Sequence, residues 1–450
     1  MQREISAIFG KGKVLLRETK RAVTPMGGLS VLVVFLKKVG WAEQVRQWLP
    51  IHWKSPNAIE AGETLTAFMV AVAAGARRFA HVGWLRADRA VQALLGMKRF
   101  PTDGTVCNLF KAFTQKRVTE FYAAMWSWQL ERIPAAAEGY SLDLDSTVFE
   151  RYGKQEGAKK GYNPRKPGRA SHHPLLAVLG EIHFVLHGWL RSGNTASARG
   201  VVEFLKEALA LLGERARIRL VRADSGFFDQ ALLTFLEQRQ LLYIVVVRMT
   251  PWLKREATHV KEWRPLDADY AVGEFRLKLQ GWDRERRFVV VRERLREKKS
   301  SLGRRLIEVP GYTFRIFVTN DPRSPEEIWR DYNGRATIEN RISELKYDLA
   351  ADDFCLQEFY ATEAAFRTIL MLFNLLGELQ RQVEMTTYRR PATLRTQVFV
   401  CGAILGRDSR RTVLRLSQSW GGLQGRNELM NKILAYAVPT SPKLNLNLSS

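Results

Sequence analysis

Three carboxylates far apart in the chain, Asp145, Asp224 and Glu339, stand where acids from separate segments could meet. Such a trio offers only oxygen ligands. Mg2+, or Mn2+ in its place, prefers oxygen and keeps several waters, so a few carboxylates plus the phosphate oxygens of a substrate complete its shell. Two such ions can activate an attacking hydroxyl and stabilise the leaving oxygen of a phosphodiester. With 46 Asp and Glu among 450 residues, an isolated acid means little. Asp224 says more than most, because it directly follows the apolar strand pattern ending at Val221-Arg222-Ala223, where ligands of open sheets bind. The helix around Glu339 is the sharpest signal. It reads Tyr332-x2-Arg335-x3-Glu339-x6-Lys346, and at about 100° per residue these four fall within an arc of roughly 60°. Ile338, Ile342, Leu345 and Leu349 form a neighbouring apolar stripe. One side of the helix can therefore anchor while the next side offers one acid among two bases and a phenol. An i,i+4 ion pair on an ordinary helix face would place Arg335 and Glu339 in the same way.

These residues need a framework. From Tyr140 the sequence alternates Leu142 and Leu144 with Asp143 and Asp145, which predicts a half-buried strand with carboxylates on its other face. Leu175 to Leu179 and Ile182 to Leu190 read as two more strands, followed by a helix from Ser197 to Leu212. A strand from Ile218 to Val221, a helix from Phe228 to Arg239 and a Val- and Ile-rich interior strand from Leu241 to Val247 complete the series. The order β-β-β-α-β-α-β matches the ribonuclease H-like fold, an α/β core that gathers acids from its first strand, its fourth strand and a later helix.

Residues 1–135 read as helical and carry 20 Lys or Arg against 9 Asp or Glu, which makes them a candidate DNA-binding domain. Asp88 to Leu95, Gly96, and a helix opening at Thr102 or Asp103 outline a helix-turn-helix, or equally two core helices joined by a turn. Residues 136–249 and 321–380 are assigned to the catalytic core, and 250–320 to a β-rich insertion with alternating runs at Phe275 to Leu279, Phe288 to Val291 and Phe314 to Val318. Arg284 to Arg305 holds ten basic and three acidic residues, enough for a phosphate-facing arm. Ser324-Pro325-Glu326-Glu327 predicts a capping box, and Gly334 a break in the helix that follows. An apolar helix from Ala364 to Leu379 leads into a basic, helical C-terminal region, 381–450, with a loose tail and a possible dimerisation role.

A formal charge of +24 on a chain that is 46% apolar calls for a core and a polyanionic partner. Cys107, Cys355 and Cys401 are too scattered for a disulfide framework or a cysteine zinc site. No apolar run reaches the roughly 20 residues a bilayer needs, so the expectation is a cytoplasmic protein working at the nucleoid, with no membrane partner.

The helix signature, together with Asp143-Leu144-Asp145-Ser146-Thr147, resembles the DDE transposases of bacterial insertion sequences in the group marked by YREK. The D-[ST]-T strand of that family aligns with Asp145, leaving Asp143 as a neighbour on the same face. The segment from Tyr152 to Glu156 and on through Tyr162-Asn163-Pro164 also resembles one subgroup. The resemblance implies that Asp145, Asp224 and Glu339 are catalytic and hold two Mg2+ or Mn2+ ions, while Tyr332, Arg335 and Lys346 contact DNA phosphates. It further implies a homodimer that binds terminal inverted repeats, cleaves there and joins the 3′-hydroxyl to target DNA. A β-rich insertion at this point resembles relatives that cut through a DNA hairpin. The alternatives are a ribonuclease H-like nuclease that never joins strands, and a non-enzymatic DNA-binding repressor. The link from Arg151 to Arg169, with seven Lys or Arg and one Glu, could track a DNA backbone beside Asp145. His172 and His173 lack a third metal-ligand type at suitable spacing and read as ordinary polar residues.

The charge generates a prediction. With roughly six to ten cations on the backbone, duplex affinity should fall on the order of a thousandfold or more between 50 and 200 mM salt. A flat salt response in fluorescence anisotropy would contradict it.

Overall fold

The computed structural model of the protein describes residues 2–9, 11–294, 312–385, 387–419 and 423–439. The run from Tyr140 forms the strand Tyr140–Ser146, but six of its seven residues are buried, so it is not half-buried as its alternation suggests. Leu142 and Leu144 enter the main apolar core. On the opposite face Asp143 and Asp145 are covered by Arg222 and Arg335, which pair with them. Alternation marks a polar face and cannot say whether water or arginine meets it.

Leu175–Leu179 and Phe184–Trp189 add to one side of this strand in antiparallel fashion, and Ile218–Ala223 and Tyr243–Val246 add to the other in parallel. Counting along the chain, the spatial order is three-two-one-four-five, the ribonuclease H-like arrangement expected from the pattern. Helices Val201–Leu212 and Gln230–Gln238 make the connections that parallel strands require.

The β-rich segment does not stand apart. Tyr312–Thr319 pairs antiparallel with Tyr243–Val246, and Arg286–Arg294, Tyr270–Leu277 and Arg264–Pro265 follow outward, giving one sheet of nine strands. Residues 295–305 of the expected basic arm lie outside the described residues. Of its described part, Arg286 is buried against Glu237 at 2.8 Å and Arg287 pairs with Glu274 at 2.5 Å, so neither faces outward as a free phosphate contact.

Both chain ends correct the helical reading. Gln2–Ser6 and Lys13–Arg17 form a hairpin, and Ala22–Thr24 pairs with Ala403–Asp408, which in turn pairs with Arg411–Leu416. Ala22–Thr24 is three residues long, too short for alternation to register. The C-terminal region is thus mixed, a hairpin followed by the helix Leu423–Ala435. Residues 440–450, expected as a loose tail, lie outside the described residues.

The helical pair at 88–111 forms, with Thr102 as the expected cap of its second helix and Asp88 capping rather than opening the first. The Asp88 side chain accepts from the Ala90 and Val91 amides, and Thr102 from Thr105 N. Its second helix, Asp103–Lys111, buries Val106, Leu109 and Phe110, while Asp103, Asn108 and Lys111 lie outward. The helix Gln115–Leu130 reaches deep into the core. Its Trp126 donates to Val185 O at 2.8 Å and its Gln129 to Met371 O at 3.0 Å. Just beyond it, Arg132 grips Glu378 through two bonds of 2.6 and 2.9 Å. Glu378 belongs to Phe359–Gln382, a helix buried from Ala361 to Gln380. Among the described residues no helix is long and apolar enough to cross a membrane.

Breaking a buried ion pair strands the surviving charge, at about 3–5 kcal/mol, whereas replacing both partners by apolar groups is often neutral. Arg132→Met should lose stability on that scale in urea unfolding, and Arg132→Met with Glu378→Leu should regain most of it.

Candidate active site

Asp143 and Asp145 share a face two residues apart, and the sheet treats them oppositely. Parallel pairing sets Arg222 beside Asp143, where its fork closes on both carboxylate oxygens at 2.6 and 2.9 Å. Burial pushes the Asp143 carboxyl up, and the Arg222 fork is what offsets it. The other terminal nitrogen of Arg222 donates to Asp331 O at 2.6 Å. There the later helix is broken: Pro325–Asn333, opened by the Ser324 and Glu327 capping box, stops at Gly334, and Ala336–Ser343 begins anew. A Cβ at Gly334 would sit 2.6 Å from Arg222 Nη1, so glycine makes room for the guanidinium. Gly180 does the same on the other side, 2.9 Å from both Arg222 Nη2 and Asp143 Oδ2.

Asp145 is held differently. Its Oδ1 accepts from the Ser146 amide at 2.7 Å and its Oδ2 pairs with Arg335 Nη2 at 3.1 Å. Arg335 Nη2 also donates to Leu144 O at 3.0 Å. Burial first, then the negative charges of Asp224 and Glu339, raise the Asp145 carboxyl to about 7 against the downward pull of Arg335. Asp224 lies just past its strand and caps the short turn Ser225–Phe227 by accepting from Gly226 N at 2.9 Å. Glu339 is exposed and has no hydrogen-bond or ion-pair partner among the described residues.

Asp145, Asp224, Tyr332, Arg335 and Glu339 line one cleft of about 390 Å³. Asp224 and Glu339 also line a wider cleft of about 1050 Å³, whose wall includes Lys346. The signature helix is not the single straight rod that the 60° arc assumed, because Gly334 breaks it and Glu344–Asp348 is a π turn. Tyr332 is buried against Phe317, ring centroids 4.6 Å apart, and burial raises its hydroxyl pKa. Arg335 is 5% exposed. Lys346 donates to Val148 O at 2.9 Å. All three are therefore engaged within the fold.

The donor set suits a hard divalent ion. It contains only carboxylates, Glu339 is free, and Asp224 has an oxygen to spare. Among the described residues no three acids, histidines or cysteines are grouped closely enough to hold a metal as they stand, and both oxygens of Asp145 already have protein partners.

Residues 7–436 match the family described as transposase DDE domain group 1. The chain belongs to that family. No curated protein matches it in sequence. A cryo-EM structure of piggyBac transposase in a synaptic complex with hairpin DNA is similar at a TM-score of 0.47 and 13% identity, covering 85% of this chain and 82% of that one.

For a chain of this family, the sequence missed Arg222. Its signal was available: it lies two residues before Asp224 on a strand parallel to the one bearing Asp143. The link after Asp145 is ordered as a small sheet of Phe149–Glu150, Ala170–His172 and Lys159–Lys160. His172 lies inside it as an ordinary polar residue, accepting from Arg151 Nε at 3.0 Å and donating to Glu156 O at 2.8 Å, and burial lowers its pKa to about 4. His173 meets Thr195 O at 2.7 Å.

A carboxyl raised in the folded state binds its proton more tightly there than in the unfolded chain, so stability is lost as pH rises from about 4 towards 7. Asp145→Asn removes that loss, so the variant's stability relative to the native chain should improve between pH 4 and pH 8, against a pH-independent cost for leaving buried Arg335 without its carboxylate. Asp143→Asn should show the larger such cost, because it strands an Arg222 fork held by two bonds. Thermal unfolding of both variants at pH 4 and pH 8 checks the pair.

Proposed function

We propose that this chain is the transposase of a bacterial insertion sequence of the YREK group, which cleaves DNA at the terminal inverted repeats of its element and transfers the 3′-hydroxyl end to target DNA. The observation that carries the reading is the convergence of Asp145, Asp224 and Glu339, from three separate elements, on one cleft. Asp145, Asp224 and Glu339 would hold two Mg2+ or Mn2+ ions, which when bound supply a Lewis acid for the phosphate and an activated attacking oxygen. The residues of the chain do the positioning. Sheet and helix fix the acids, and Arg335 holds Asp145 while no substrate competes for either. Lys346, on the wall of the wide cleft, and Arg335 and Tyr332, in the narrow one, are assigned to phosphates flanking the cut. In-line attack tolerates little displacement, so these contacts act on rate more than on affinity. Residues 1–135 are assigned to recognition of the repeat and residues 381–450 to a homodimer holding two ends.

The test uses DNA ending in the flanks of the chain's own gene. Mg2+-dependent nicking followed by joining is expected. Nicking without joining would leave a simple nuclease, and binding without nicking a repressor. Asp145→Asn, Asp224→Asn and Glu339→Gln should each remove cleavage and leave affinity within a few-fold, since phosphate contacts elsewhere carry binding. Arg335→Ala and Lys346→Ala should slow cleavage at saturating DNA, and Arg335→Lys should not restore it, because a point charge cannot replace a planar fork. Normal cleavage by both alanine variants would remove the signature from the mechanism.

A further inference from the structure

We infer that Arg248 and Arg315, which stand opposite each other at the ends of adjoining strands, together hold a DNA phosphate where the two clefts meet; this rests on the reading of the cleft as a DNA cleavage site. Neither belongs to the signature helix. Arg315 lies on Tyr312–Thr319 of the β-rich segment and lines the narrow cleft with Asp145, Asp224 and Glu339. Arg248 follows the strand Tyr243–Val246 and lines the wide one. Asp224, Ser225 and Glu339 line both.

The register brings the two together. Ile244, Val245 and Val246 pair with Thr319, Val318 and Phe317, and the Val247 amide donates to Ile316 O at 2.8 Å. One step further sets Arg248 opposite Arg315. Residues directly opposite in an antiparallel pair share a face, and on that face the preceding pair, Val246 and Phe317, packs into the apolar cluster that holds Tyr332. Like charges so placed repel, so the fold keeps a contact that only an anion between the two would make favourable.

Both arginines are exposed, and neither has an ion pair or a side-chain hydrogen bond among the described residues. The Arg315 guanidinium lies 5.6 Å from the centroid of the Trp329 ring, which steadies it without neutralising it. Other cations of the two clefts are engaged: Arg335 pairs with Asp145, Lys346 donates to Val148 O, and Arg165 donates to the Tyr347 hydroxyl at 2.9 Å. A phosphodiester suits the free pair, because guanidinium N–H donors match phosphate oxygens in spacing and charge. Its place beside the acids common to both clefts makes it a phosphate neighbouring the scissile one, on a strand that runs from one cleft into the other.

The experiment uses the full chain and duplexes ending in the flanks of its own gene, with single phosphates near the cut replaced in turn by uncharged methylphosphonates. The double variant Arg248→Gln with Arg315→Gln should cleave saturating DNA at least about tenfold more slowly than the native chain. One methylphosphonate position should slow the native chain by a similar factor and slow the double variant no further. Arg248→Lys with Arg315→Lys should recover part of the rate, since it keeps the charge and loses the fork. Without DNA and at low salt, the double Gln variant should melt no lower than the native chain, because it removes a like-charge contact. Native-rate cleavage by that variant, independent losses at every methylphosphonate position, or a lower melting temperature would overturn the phosphate-holding pair while leaving the transposase reading intact. Failure of the native chain to cut DNA at all would overturn both.

Discussion

The architecture of the cleft depends on a single guanidinium. Arg222 grips Asp143 through two bonds and Asp331 O through a third, so one side chain joins the strand of Asp145, the strand that ends at Asp224 and the helix Pro325–Asn333, which leads into the helix of Glu339. Two of the elements that carry the acids, and the approach to the third, are tied together by it. A charge this deeply buried is tolerable only because each end of the fork is matched, and the match needs space that only glycine leaves at positions 180 and 334. The helix break at Gly334 is thus part of the same device: it opens the turn where Arg222 reaches backbone oxygen. Arg335 repeats the logic one layer outward by bridging Asp145 and Leu144 O.

The two arginines differ in what they leave behind. Asp143 is fully enclosed and has no free oxygen for chemistry. Asp145 sits at the edge of a cleft with an ionic partner at one oxygen and repelling carboxylates nearby. That repulsion is the usual mark of acids arranged to receive positive charge, because the protein has gathered more anion than its own cations satisfy. Strand alternation puts the two acids on one face, and the arginine each one meets is what makes their surroundings differ.

The order of core strands, the capping box at Ser324 and the helix pair at 88–111 were legible because each rests on local chemistry, namely alternation, a Ser-x-x-Glu spacing, and Gly96 followed by a cap at Thr102. Illegible were features that depend on partners far away in sequence. The β-rich segment reads as an insertion, since nothing local says that Tyr312–Thr319 will pair with Tyr243–Val246. The strand Ala22–Thr24 finds its partner in Ala403–Asp408, almost four hundred residues on. The signature helix was read as straight, and its π turn at Glu344–Asp348 involves the pairing of Glu344 with Arg341 and Tyr388, the latter from a segment beyond the helix. Of the six expected site residues, five line one cleft and Lys346 lines the next, while Tyr332 and Arg335 are buried rather than presented on an open helix face.

That difference in exposure bears on where a strongly basic chain keeps its charge free. Several of its guanidiniums are paired within the fold: Arg222 on Asp143, Arg286 on Glu237 and Arg287 on Glu274. Those pairs give rigidity, since a guanidinium closed on a carboxylate is not free to meet another anion. Free attraction is left to exposed residues such as Lys159, Lys160 and Arg169 of the ordered link after Asp145. The link lines the cleft with Tyr152 and Tyr162, so free cations lie close in sequence to the wall where the acids gather. With DNA as the ligand proposed above, charge would bring the strand to this cleft while the buried pairs keep the acids in place.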